Sequence, residues 1–272
     1  MIKKILVISG WAFCGLAIIF LTGFAVHQHN NRAVSGVEIS IERKADQFFV
    51  SEEDVKTSLI QHGYGTSNQS ISSINIPAIE KLVAAHSGVQ SCEASINVEG
   101  KVHVTILQRR PVARLTNMSG ESYYFDDQGK LMPWSDTYTA PVIVVNGFFA
   151  DSYAAMSTID FSTIAADSAL KSSTLLDDIW LVVKSIDADS FLRVQMAQLY
   201  VSRENGFELI PRVGSHKIIF GSAEGVEGKF KKLNLFYMYG LNTTGRWNEY
   251  SAIDLRYKNQ IVCTKKPNTN GI

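Results

Sequence analysis

Cysteine is scarce in this sequence of 272 residues: only Cys14, Cys92 and Cys263 occur, with no CxxC pair and no HxxxH. That is too few and too scattered for a disulfide framework or a four-ligand zinc site. Cys92 and Cys263 fall in different segments, so two buried thiols are the simpler reading than a bridge between them. A charge of one sign is missing too. Lys plus Arg and Asp plus Glu both number 26, so there is no basic excess of the kind that draws a protein to nucleic acid. With 6 prolines and 19 glycines the chain is neither collagen-like nor proline-rich. Hydrophobic residues at 46% against 19% charged supply a core, which excludes global disorder.

Catalytic motifs are equally thin. No GxSxG occurs. Ser168-Ala169-Leu170-Lys171 is an SxxK match without the Lys-Thr-Gly or Ser-Asp-Asn partner that such chemistry needs. Gly225-Val226-Glu227-Gly228-Lys229 has the wrong glycine spacing for a phosphate loop. The histidines His27, His29, His62, His86, His103 and His216 are dispersed, and Asp126-Asp127 are neighbours in a turn, whose side chains point apart. The sequence therefore predicts no catalytic residue, no cofactor and no metal ligand, and a function carried by recognition.

The long apolar run sits at the start. Residues 1–4 carry Lys3 and Lys4, and Ile5–Val26 carries no charge. At about 1.5 Å per residue the run spans roughly 33 Å, enough for a bilayer core of about 30 Å. Lysines before the span place the N-terminus in the cytoplasm and everything from about residue 27 outside. Gly23-Phe24-Ala25 is also compatible with a cleavage site, but the run is longer than an ordinary signal peptide. An uncleaved single-pass anchor over 5–26 is the preferred reading.

Residues 37–110 read as a βααββ module. Val37, Ile39 and Ile41 alternate with polar residues, as in a half-buried strand. Ser51 with Glu52, Glu53 and Asp54 opens one helix and Asn75 with Pro77 opens a second. Cys92, Ala94, Ile96 and Val98 alternate with Glu93, Ser95, Asn97 and Glu99; Gly100 turns the chain, and Val102, Val104 and Ile106 resume the pattern. A second segment, 111–266, predicts strands near 112–117, 122–126, 130–133 and 141–146, then a helix over 168–186. Strands at 194–201, 207–211 and 217–220, a helix over 224–241, and closing strands at 255–257 and 261–263 follow. The expected class is α+β, with an antiparallel sheet and helices in this segment and a tail at 267–272.

Several stations in this order resemble the FtsQ/DivIB cell-division family: Gln108-Arg109-Arg110-Pro111-Val112-Ala113 closing the module, Phe125-Asp126-Asp127-Gln128-Gly129, Pro141-Val142-Ile143-Val144-Val145-Asn146-Gly147, and Ile253-Asp254-Leu255-Arg256-Tyr257. Lys258-Asn259-Gln260 departs from the Asp-Gly often seen there. The resemblance implies a POTRA domain at 37–110 and an FtsQ-type β domain at 111–266. It implies a non-enzymatic scaffold in the bacterial inner membrane, with its bulk in the periplasm. It implies recruitment of FtsB/FtsL-type bitopic coiled-coil proteins and other divisome components to regulate septal wall synthesis. From the residues themselves, the last strand lies near the chain end with nothing evident to pair with its outer side, a place where a foreign strand can add. The resemblance, which places partner contacts in this terminal region, implies Tyr257, Lys258, Ile261 and Val262 as partner-binding residues. Two other classes stay open: a POTRA-bearing export or outer-membrane assembly protein, and a peptidoglycan-acting envelope enzyme using Ser168 and Lys171.

Overall fold

The computed structural model describes residues 10–11, 13–24, 32–44, 48–64, 69–136, 138–162 and 174–267. The expected membrane span lies partly outside these residues. Residues 10–11 and 13–24 are helical, and no described helix is long and apolar enough to cross a membrane. Ser168 and Lys171 also lie outside the described residues. The chain divides into two compact units between Gln108 and Arg109.

In the first unit, local rules and burial agree. Strand β1 (Gly36–Glu42) turns Val37, Ile39 and Ile41 toward the core. Helix α1 (Glu52–Gln61) begins where the Ser51 hydroxyl accepts from the Asp54 N–H at 3.0 Å, with three acidic residues on its positive end. Helix α2 (Ile76–Ala84) begins where Asn75 accepts from the Ala78 N–H at 3.1 Å. Strands β2 (Val89–Ile96) and β3 (Lys101–Gln108) form the hairpin, and the sheet order is β1-β3-β2 with β1 parallel to β3. Central β3 contributes Val102, Val104 and Ile106, fully buried beneath Val55 and Leu59 of α1 and Ile79 and Val83 of α2. Val98 is not part of the strand. The Asn97 side chain accepts from the N–H groups of Glu99 and Lys101, folding the turn early and leaving Val98 exposed.

The second unit holds a nine-stranded sheet. Its strands are β4 (Pro111–Thr116), β5 (Ser122–Asp126), β6 (Leu131–Pro133), β7 (Ile143–Gly147), β8 (Met196–Ser202), β9 (Gly206–Pro211), β10 (Lys217–Gly221), β11 (Tyr250–Asp254) and β12 (Val262–Lys265). Their spatial order is β12-β11-β10-β9-β8-β7-β4-β5-β6. A short helix, α3 (Tyr153–Met156), follows β7. Helices α4 (Leu176–Ala188) and α5 (Ser190–Gln195) precede β8, and α6 (Val226–Leu235) precedes β11. Ile179, Val182, Val183 and Ile186 of α4 and Phe230 and Leu233 of α6 bury one core with Leu115, Val145, Leu199, Leu209, Ile218 and Ile253 of the strands.

Three expectations are corrected. The sheet is mixed rather than antiparallel: β4 with β7, β7 with β8, and β10 with β11 run parallel. The last two joins are crossovers that carry helices, which return the chain to the starting end of the sheet. The helix expected over 224–241 is α6 followed by a π-helical turn at Phe236–Leu241, after which α7 (Asn242–Thr244) forms a last short turn. The strand expected at 255–257 is β11, five residues earlier in its start. Leu255 is buried and still donates to the Ile219 carbonyl at 2.9 Å, but the chain then bends as the Asp254 carboxylate accepts from the Arg256 N–H at 3.0 Å. The helix expected over 168–186 is described from Leu176, whose N–H donates to the Thr174 hydroxyl.

The sequence stations have plain structural jobs. Asp126 is buried: one oxygen accepts from the N–H groups of Gln128 and Lys130, and the other pairs with Arg109 at 2.7 Å. Gly129 takes φ +81°, and a side chain there would strike Trp180 and the Ser162 backbone. Arg110 reaches Asp187 on α4 through both nitrogens, at 2.9 and 2.6 Å, and Asp127 at 3.5 Å. Asp126 and Asp127 thus face different arginines and form no acid pair.

Candidate protein interface

The two ends of the nine-stranded sheet differ. At the β6 end the strand has three residues and finishes at Pro133; Trp134 stacks on Tyr124 at 5.7 Å, Arg114 lies over the Trp134 ring at 4.1 Å, and the backbone of Lys130 forms an antiparallel bridge with that of Asp160. Short length, proline and a covering segment blunt an edge. At the other end β12 pairs antiparallel with β11 and has no other strand beside it among the described residues.

The pairing fixes which backbone groups of β12 face outward. The Leu255 N–H donates to Ile219 of β10, so by alternation Asp254 turns its backbone toward β12. Asp254 pairs with Val262, which makes that pair the hydrogen-bonded kind and the next one, Ile253 with Cys263, the other kind. The far end agrees: the Lys266 N–H donates to the Glu249 carbonyl at 2.9 Å, which leaves Lys265 facing away from β11. The N–H and C=O groups of Cys263 and Lys265 therefore point off the sheet.

Side chains alternate accordingly. Ile261 and Cys263 pack on the core, and burial pushes the Cys263 thiol above its ordinary pKa. Val262 and Thr264 are exposed on the opposite face. Lys265 pairs with Glu249 at 2.8 Å, and Lys266 donates to Ser215.

Of the nominated residues, Tyr257 and Lys258 lie in the β11–β12 turn, Ile261 immediately precedes β12, and Val262 opens it. Tyr257 is half exposed. Its placement rests on Lys232, which the sequence did not single out, and on Asp254 and Arg256 of the station that carries it. Lys232 of α6 donates to the carbonyls of Leu255, at 3.2 Å, and Tyr257. Arg256 clamps the Asp254 carboxylate at 2.7 Å, which lowers the Asp254 pKa against the opposing effect of its burial, and also reaches Asn205. No spacing rule pairs Lys232 with a turn so far along the chain. The outward pair Cys263 and Lys265 is legible only once the register with β11 is known. Among the described residues no three His, Cys, Asp or Glu side chains cluster as metal ligands.

Residues 110–264 match the family model described as FtsQ/DivIB, C-terminal related, and residues 32–107 match a POTRA-like domain. No curated protein matches the chain. A mixed sheet with one unpaired end, following a βααββ unit and matching the family model over more than half its length, places this chain in the FtsQ/DivIB family of cell-division scaffold proteins.

Proposed function

We propose that the chain is a single-pass inner-membrane scaffold of the septal division machinery, anchored by residues 5–26 with its two units in the periplasm. It captures FtsB/FtsL-type bitopic partners by adding one of their segments to β12, and so regulates septal wall synthesis without chemistry of its own. The observation that carries this reading is the outer side of β12, unpaired among the described residues, where the backbone groups of Cys263 and Lys265 point off the sheet. Ile261 and Cys263 would extend the apolar core beneath the guest, Val262 would line its other face, and Tyr257 and Lys258 would flank its end.

Proline tests the mechanism because it removes one N–H at a chosen position. Cys263→Pro deletes an outward donor, which an outer strand tolerates, whereas Val262→Pro breaks the ladder to β11. We expect Cys263→Pro to keep the circular dichroism of the parent and to recover at least about tenfold less partner on co-purification. It should also leave depleted cells filamentous. Val262→Pro should lower stability itself. Full partner recovery with Cys263→Pro would overturn strand addition at β12.

A further inference from the structure

A second site, independent of the β12 edge, lies beside the π-helical turn. A cavity of about 360 Å³ is lined by the polar Asp189, Asn234 and Asn242 and by Phe191, Tyr237, Met238 and Trp247. Three of its walls are rings in contact: Phe191 meets Tyr237 edge-on at 5.8 Å, and Tyr237 stacks on Trp247 at 5.1 Å. The π-helix brings consecutive residues, Tyr237 and Met238, to the same cavity. Such turns are rare in helices and gather at functional positions. This one has a local fit as well, since a side chain at Gly240 would strike the Phe236 ring.

The polar groups at this cavity are unbalanced in one direction. One Asp189 oxygen accepts from the N–H groups of Phe191 and Leu192, at 2.9 and 3.0 Å, and the other from the Asn234 amide at 2.7 Å. All three donors are neutral, and no described cation pairs with the carboxylate. The Asn234 amide is oriented by that bond, and its own oxygen is buried without a donor. What the cavity offers is the Asp189 carboxylate and aromatic faces. The carboxylate is met by neutral donors alone, although Lys184 and Lys231 line the adjoining groove that Asp189 and Asn234 share. A cation on an apolar stem fits both halves: stem along Met238 and the rings, head at Asp189.

We propose that this cavity binds a long-stemmed organic cation, a guanidinium or alkylammonium head, supplied either by an Arg or Lys side chain of a protein or by a free diamine. Arginine suits it best, because a planar guanidinium stacks on a ring and donates in its own plane at once.

The test titrates the full chain in detergent micelles with N-acetyl-arginine amide, its neutral isostere N-acetyl-citrulline amide, and 1,5-diaminopentane, reading heat and tryptophan fluorescence. We expect saturable arginine binding near ~1 mM and citrulline at least about tenfold weaker. Trp247→Phe should abolish the fluorescence change. Asp189→Asn retains a helix-capping oxygen and should erase the preference for charge, and Phe191→Leu, at a half-exposed position, should weaken binding about threefold. Diaminopentane matching arginine assigns a free amine; tighter binding of an arginine flanked by further residues assigns a protein side chain. Equal binding of arginine and citrulline, an unaffected Asp189→Asn variant, or no saturation would overturn the proposal.

Discussion

Single side chains in this protein do long-range work because they are buried with their partners. His216 is the clearest. It is 3% exposed, its Nε2 meets the Tyr237 hydroxyl at 3.0 Å, and Tyr237 in turn stacks on Trp247. Burial lowers its pKa below the ordinary 6.5, Lys266 adds to that, and the Trp247 carbonyl pulls the other way. The folded protein therefore keeps His216 neutral where the unfolded chain would already bind a proton. The His216 contribution to stability is constant above about pH 6.5 and is lost as the pH drops below it, by up to about 1.4 kcal/mol per pH unit. Urea unfolding of His216→Gln between pH 7 and 5 should lose that part of the acid slope; an unchanged slope would mean other groups carry it. Tyr237 shows the same burial from the acidic side, its phenol raised well above the normal range.

At the scale of elements, the hairpin of β11 and β12 is held from outside itself. Lys232 spans from α6 to the carbonyls of residues 255 and 257, so the turn that carries Tyr257 is tied to a helix rather than left to its own short ladder. Lys232→Met should speed amide exchange over 256–260 about tenfold and cost about 1–2 kcal/mol, while Lys232→Arg, which keeps donors at that reach, should restore most of both. Exchange that is equally slow in Lys232→Met would remove Lys232 from this role. Elements with local causes were legible in the sequence. Ser51 and Asn75 start helices by bonds three residues long, and the alternation of 92–96 and 102–106 is a hairpin wherever it occurs. Elements decided by distant neighbours were not. Parallel pairing of β10 and β11 depends on α6 crossing the sheet. The π-helical turn places Gly240 against the Phe236 ring, where a side chain would clash. The end of β11 depends on Asp254 turning its carboxylate to Arg256. The interface follows the same division: Tyr257, Lys258, Ile261 and Val262 could be nominated by resemblance. Lys232 and the outward groups of Cys263 and Lys265 need the register.

For the molecule as a whole, the two units have separate cores. Val102, Val104 and Ile106 close one and Leu199, Leu209 and Ile218 the other, with no buried residue in common. A core of each kind buries its apolar residues within its own segment, so a fragment of residues 109–272 should fold alone. Its near-ultraviolet circular dichroism should show the ordered signals of Trp180 and Trp247, and a molten spectrum would refute autonomy. The nine-stranded sheet also has a consequence for assembly. One flank ends in the three-residue β6 with Pro133, and the other in the four-residue β12. Two guests of one berth exclude each other as two inhibitors of one enzyme do. On the proposed strand addition at β12, a second copy of this chain docked there would compete with every foreign strand.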